Sequence, residues 1–224
     1  EIYGLKVIYD AAHCFGVKHL GQGICNFGDL SILSFHATKV FNTMEGGAII
    51  CHDEGTKRRI DYLKNFGFAG ETTVVAPGIN SKMNEMQAAL GLVQLKHYQT
   101  NIAKRKNIAD YYRQGLLDVK GITVLAEPYE TESNYAYFPI FVNEREYGLN
   151  RDQLYDKLKQ NKIFGRRYFY PLISEFSMYK GLDSAKPDNL PVAEKMADKV
   201  ICLPIYPDLE IETAINICRI LKSK

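Results

Sequence analysis

The sequence predicts a mixed α/β sheet unit followed by a smaller α+β unit. Three features carry this expectation: three short apolar runs near the start, a long central stretch with helical spacing, and a change of pattern after Ile122. At 224 residues the chain is long enough to bury a substantial core.

Val7 to Tyr9, Ser31 to Phe35 and Gly47 to Cys51 are apolar runs bounded by Gly, Asp and His, the pattern of strands covered on both faces. We assign them to one sheet. From Glu54 to Asn65, Ile60 and Leu63 stand among charges, which predicts an amphipathic surface helix ended by Phe66-Gly67-Phe68-Ala69-Gly70. The spacing of Met86, Leu90, Val93 and Leu95 predicts a helix over 84–98, and a second helix is expected over 102–117. Beyond it the pattern reads strand (122–125), strand (135–142), helix (150–160), strand (163–169) and a closing helix (210–221). Asn150 is suited to cap the middle helix, and the acids from Asp208 to Glu212 suit the start of the last one. Pro187, Pro191, Pro204 and Pro207 mark loops.

A formal charge of +2 with scattered lysines speaks against nucleic acid as a partner. Cys14, Cys25, Cys51, Cys202 and Cys218 contain no C-x-x-C pair and leave an odd thiol, so neither a disulfide framework nor a metal site is expected, and a reducing cytoplasm fits. No apolar run approaches the ~20 residues of a membrane helix. Because the first residue is Glu1 and a strand-like run follows at once, we expect further chain to precede this sequence.

Two stretches carry chemistry. Val7-Ile8-Tyr9-Asp10-Ala11-Ala12-His13 delivers an aspartate at the C-terminal end of a strand, the edge where open α/β sheets bind ligands, with two small residues leaving room for a flat ring. The alternative is that Asp10 caps a following helix and His13 lies satisfied at the surface. Ser34-Phe35-His36-Ala37-Thr38-Lys39 leaves the next strand with Ser34 and His36 on one face, and Glu45-Gly46-Gly47-Ala48 turns back into the sheet. Ser34 lies in no G-x-S-x-G elbow, so a hydrolase is not indicated.

D-A-A-H, then S-F-H-x-T-K and E-G-G-A, then Gly78-Ile79-Asn80-Ser81-Lys82-Met83-Asn84-Glu85-Met86-Gln87-Ala88-Ala89, resemble in order the motifs of the DegT/DnrJ-type sugar aminotransferases. These are fold type I enzymes that use pyridoxal 5′-phosphate. The resemblance implies the C-terminal part of that fold, a remnant of the large cofactor-binding domain over 1–105 and a small α+β domain over 106–224. It implies that Lys39 holds the cofactor as a Schiff base and moves the proton in catalysis, that Asp10 pairs with the pyridinium nitrogen, that His13 approaches the ring oxygen and that Ser34 bonds the phosphate. Asn80 is implied to reach the cofactor phosphate of a neighbouring subunit, hence a homodimer with shared sites. His36 is expected to support this network without a role of its own.

Gly165-Arg166-Arg167-Tyr168-Phe169-Tyr170-Pro171-Leu172 resembles the family's stretch near the sugar nucleotide, which makes Arg166 and Tyr168 the substrate-binding candidates, against solvated arginines on an edge strand as the alternative. Ile173 and Lys82 depart from the family pattern, which commonly shows histidine and arginine there. The phosphate cup and the aromatic that stacks on the cofactor are expected before Val7. The activity implied is transfer of an amino group from an amino acid, expected to be glutamate, to a nucleotide-linked keto-6-deoxysugar. A non-catalytic regulatory or binding protein with the same fold is the alternative, which the intact Asp10 and Lys39 pair disfavours.

Overall fold

The computed structural model describes residues 2–223. The chain forms two compact units, one of residues 1–100 with 128–136 and one of 101–127 with 137–224.

In the first unit, β1 (Ile8–Asp10), β4 (Leu30–Ser34) and β5 (Gly47–Cys51) make one sheet with β4 in the middle. β1 runs parallel to β4 with Asp10 opposite Ile32, and β5 runs antiparallel with Gly47 opposite Ser34. The three expected strands are therefore present, each within a residue or so of its predicted span. Their expected burial on both faces is not. Ile8, Ile32 and Ile49, which share a face by register, are 58%, 47% and 48% exposed. The opposite face carries the fully buried Ser31 and Leu33. Apolar composition reported the strands correctly; what covers each face is a tertiary property that a local pattern does not contain.

β2 (Lys18–His19), β3 (Gln22–Gly23) and β7 (Thr131–Glu132) form a second, antiparallel sheet that the pattern did not predict, each strand being too short to show periodicity. Helix α1 (Glu54–Leu63) lies where expected, capped by the Asp53 carboxylate, which accepts the Thr56 N–H at 2.8 Å. Phe66 and Gly67, both with positive φ, reverse the chain after it. Gly78 passes so close to this reversal that a Cβ would stand 2.2 Å from the Gly67 nitrogen, so only glycine fits.

The two central helices expected over 84–98 and 102–117 are one continuous helix, α2 (Glu85–Leu116). Thr100 and Asn101 are weak helix formers, yet without Gly or Pro nothing breaks the hydrogen-bond ladder there. Residues of α2 up to Thr100 belong to the first unit and those from Asn101 to the second.

The second unit is built on an antiparallel sheet of β6 (Ile122–Val124), β8 (Phe138–Val142) and β9 (Val200–Leu203), with β8 central. Beside it stand the short α3 (Glu144–Tyr147), then α4 (Arg151–Gln160), α5 (Pro191–Ala197) and α6 (Ile211–Lys222). Asn150 caps α4 in a reciprocal pair with Gln153, as its position predicts. Two expectations fail here. Residues 163–169 are not a strand: only Arg166 bridges to Cys202, and the chain then turns away through Tyr168 to Pro171. Pro191 starts a helix rather than a loop, its fixed φ and missing N–H suiting the first helical position. Tyr112, Ile140, Leu154, Leu158, Ile201, Ile217 and Leu221 are fully buried and form the centre of this unit.

Burial predicts unequal costs for truncation in the two sheets. Ile140→Ala in β8 should lose about 2–5 kcal/mol in denaturant unfolding, whereas Ile8→Ala on the exposed face of β1 should change stability by about 0.5 kcal/mol or less.

Candidate active site

Parallel pairing brings the C-terminal ends of β1 and β4 to one edge of the sheet. Asp10 is the last residue of β1, and its register with Ile32 places it on the face that also carries Ser34, the last residue of β4. Beyond Asp10 no helix begins. The carboxylate Oδ1 instead accepts the Ala12 N–H at 3.1 Å, closing a turn. The Ala11 N–H is bound by the Ile32 carbonyl at 2.9 Å, so the turn stays tied to the sheet.

The loop after β4 is closed by one residue. Phe35 donates its N–H to the Gly46 carbonyl at 2.8 Å and accepts the Thr43 N–H at 2.9 Å. Inside this loop the Lys39 N–H bonds the His36 carbonyl at 2.9 Å, and the His36 Nδ1 accepts the Thr38 N–H at 3.2 Å. Below it Phe15 stacks on Phe41 at 4.2 Å, and both rings meet Phe35 edge-on. A rigid aromatic floor thus supports a polar loop.

From this loop the Lys39 Nζ reaches the His13 Nε2 at 3.1 Å. Burial lowers the pKa of His13, the Lys39 charge lowers it further, and Asp10 works in the opposite sense. The imidazole is therefore kept neutral and can accept from the amine. Electrostatically it lies within reach of both Lys39 and Asp10, so the amine, the imidazole and the acid occupy one neighbourhood. Ser34 Oγ accepts the His36 N–H at 3.3 Å at the same strand end.

The remaining candidates lie elsewhere in the chain. Asn80 is exposed, on a segment seated against the end of α1 by its bridge to Asn65. The Lys82 Nζ donates to Asn65 Oδ1 at 2.7 Å beside the Phe66 ring, so this lysine fastens the same reversal. In the second unit, Arg166 donates to the Tyr168 hydroxyl at 2.9 Å, and Tyr168 meets Tyr137 edge-on at 5.1 Å. Burial and the Tyr168 partner push the Tyr137 hydroxyl up to about 12.

Asn134 carries a role that the sequence reading missed. Buried, it donates to the carbonyls of His13 and Phe15 at 2.8 and 3.0 Å, and the Tyr98 hydroxyl donates to the same Phe15 carbonyl at 2.9 Å. These bonds hold the backbone of the turn that presents His13. A polar residue just ahead of an apolar run was the only local signal.

A model of the DegT/DnrJ/EryC1/StrS aminotransferase family matches residues 1–222. The chain belongs to this family. An Escherichia coli relative, dTDP-4-amino-4,6-dideoxy-D-glucose transaminase, is 52% identical over 99% of this chain and 60% of its own length. Among solved structures, DesI in the presence of its TDP-sugar product superposes with a TM-score of 0.90 at 32% identity, over 99% of this chain and 56% of DesI. The PLP form of the putative sugar aminotransferase Spr1654 from Streptococcus pneumoniae superposes with a TM-score of 0.83 at 27% identity, over 96% of this chain and 58% of that one. The chain spans about three-fifths of the length of the curated relatives it matches. The α/β fold expected from its motifs is the fold of these sugar aminotransferases.

The donor set suits pyridoxal 5′-phosphate. It offers a primary amine facing a neutral imidazole, an exposed carboxylate at a parallel strand end, a hydroxyl at the adjacent strand end, and only Ala11 and Ala12 between acid and imidazole. The geometry also makes a prediction. In the cofactor-free protein the His13 imidazole should titrate below its ordinary 6.5 in NMR, and Lys39→Ala should move that midpoint up by removing a neighbouring positive charge.

Proposed function

We propose that the protein is a pyridoxal 5′-phosphate aminotransferase that moves the amino group of an amino acid, glutamate by preference, onto a nucleotide-linked keto-6-deoxysugar. The observation that carries this reading is the Lys39 amine, held 3.1 Å from a neutral His13 at the strand edge that Asp10 ends. The name of the E. coli relative, at 52% identity, favours dTDP-4-keto-6-deoxy-D-glucose as the acceptor, aminated at C4.

Pyridoxal 5′-phosphate supplies, when bound, an electron sink for the charge left when the amino acid Cα loses its proton. Lys39 would hold the group through its amine and would take up and return the proton of the amino acid Cα. Asp10 keeps the ring nitrogen protonated, since an opposite charge within reach shifts a pKa by ~1–3 units. Ser34 would donate to the phosphate, and His13 would lie toward the ring oxygen. Arg166 can clasp a diphosphate with its planar fork, with Tyr168 beside the sugar.

Asn80, exposed on its braced segment, would reach the phosphate in a second copy, so the working unit is a homodimer. Among the described residues no helix is long and apolar enough to cross a membrane. We place the enzyme in the cytoplasm, where its five thiols stay reduced and nucleotide sugars are made.

The loaded protein should show a visible absorption band that glutamate bleaches and the keto-sugar nucleotide restores. Lys39→Ala should remove at least about 10²–10⁴ of the turnover. Normal multiple-turnover transamination in that variant would refute the assignment. Asp10→Asn should bind the cofactor yet slow both half-reactions, read by stopped-flow absorbance.

A further inference from the structure

In the second unit the segment that carries Arg166 and Tyr168 is held by a device that no motif predicts. At its start, Arg166 exchanges both backbone hydrogen bonds with Cys202 of β9, at 3.0 and 2.7 Å. Beyond that anchor it has no strand partner among the described residues, and its side chains divide between two sets of contacts. Arg166 and Tyr168 engage each other. Arg167 and Tyr170 instead meet α4.

Arg151, the first residue of α4, is only 4% exposed. Its Nη1 donates to the Ala197 carbonyl at 2.6 Å, and its Nε lies 2.8 Å from Asp152 Oδ1. Arg167 Nη1 donates to the same Asp152 oxygen at 2.8 Å. The Tyr170 ring has the Arg151 guanidinium at 4.1 Å and the Arg167 guanidinium at 5.4 Å, and Arg167 also lies 4.6 Å from the Tyr155 ring. Two cations therefore share one carboxylate and one aromatic ring. Burial works against the Asp152 charge, but hydrogen bonds from Arg167 and Arg151 outweigh it and hold the carboxyl below its usual range.

Arg151 is buried and depends on these neighbours, while the partly exposed Arg167 gains from them. A buried guanidinium needs a paired anion, and two guanidiniums near one ring repel unless a carboxylate lies between them. The set is thus complete only when the 167–170 segment is docked on α4, which fixes the backbone from which Arg166 and Tyr168 project.

We propose that Asp152, Arg151 and Tyr170 are positioning residues for the nucleotide-sugar subsite: they clamp the 167–170 segment so that Arg166 and Tyr168 stand ready for a nucleoside diphosphate. The inference rests on the reading of Arg166 and Tyr168 as substrate residues. It assigns the clamp to one half-reaction only, since the amino donor carries no diphosphate.

The test uses the cofactor-loaded protein and three variants, Tyr170→Leu, Tyr170→Phe and Asp152→Asn. Titration calorimetry with thymidine diphosphate reads the subsite directly, and glutamate bleaching reads the other half-reaction. Tyr170→Leu and Asp152→Asn should weaken thymidine diphosphate binding and raise the KM for the keto-sugar nucleotide by about 5- to 30-fold, while the rate of bleaching by glutamate stays within about twofold. Tyr170→Phe, which keeps the aromatic face, should bind as the unaltered protein does. Unchanged binding in Tyr170→Leu and Asp152→Asn would overturn the inference, as would equal loss in Tyr170→Phe and Tyr170→Leu, or a parallel slowing of glutamate bleaching. If the unaltered protein binds thymidine diphosphate but never responds to glutamate, the transaminase reading fails while the calorimetric comparison still decides the clamp. Failure of the unaltered protein to bind it sinks the clamp, while glutamate bleaching still decides the transaminase reading.

Discussion

The parallel pairing of β1 with β4 is the constraint on which the site depends. Parallel strands end on the same edge, so the acid that terminates one and the hydroxyl that terminates the other are neighbours without any loop having to bring them together. A shift of one residue would turn Asp10 to the face of Ser31 and Leu33, into packed core. Lys39 then needs only a short loop, and Phe35 closes that loop with its own N–H and carbonyl while its ring joins Phe15 and Phe41 below. The covalent order of S-F-H-x-T-K is thus also a structural order: hydroxyl on the sheet, ring in the core, imidazole in the loop, amine at the edge.

The sequence was most legible where a single strand or helix imposed its own period. The three strands of the first sheet, α1, α4 with its Asn150 cap, and α6 each follow from local spacing and capping chemistry. The sequence was least legible where the decisive partner is distant. His19 and Lys18 pair with Thr131 and Glu132 more than a hundred residues away, and Asn134 holds the carbonyl of His13 across a similar gap. Nothing within a window of a dozen residues encodes such pairs. The failed strand at 163–169 has the same origin: its aromatic and apolar residues suit a strand, but Tyr170 is drawn instead to a guanidinium on α4.

The candidate site divides the same way. Asp10, His13 and Lys39 were found by asking what a strand end can present, and the structure puts their side chains in one electrostatic neighbourhood. Their supports were not found, because Asn134 and Tyr98 act on backbone carbonyls and so leave no chemical signature at the residues they hold. Chemistry is written in residue types, whereas positioning is written in contacts. The small alanines beside Asp10, Ala11 buried and Ala12 half-buried, belong to the first kind, since what they contribute is space.

The transaminase proposed above would have to admit two unlike substrates at one amine. The amino donor needs the Lys39 neighbourhood, built from strand ends and an aromatic floor. On the proposed reading the nucleotide sugar would make a further demand, a charged fork and a ring for a diphosphate, and the candidates Arg166 and Tyr168 lie on a segment of the second unit with its own anchors. Along that segment the residues do different work: Arg166 and Tyr168 meet each other, while Arg167 and Tyr170 spend their charge and ring on α4. Replacing Arg166 or Tyr168 would leave the proposed clamp in place, because neither side chain pairs with Asp152.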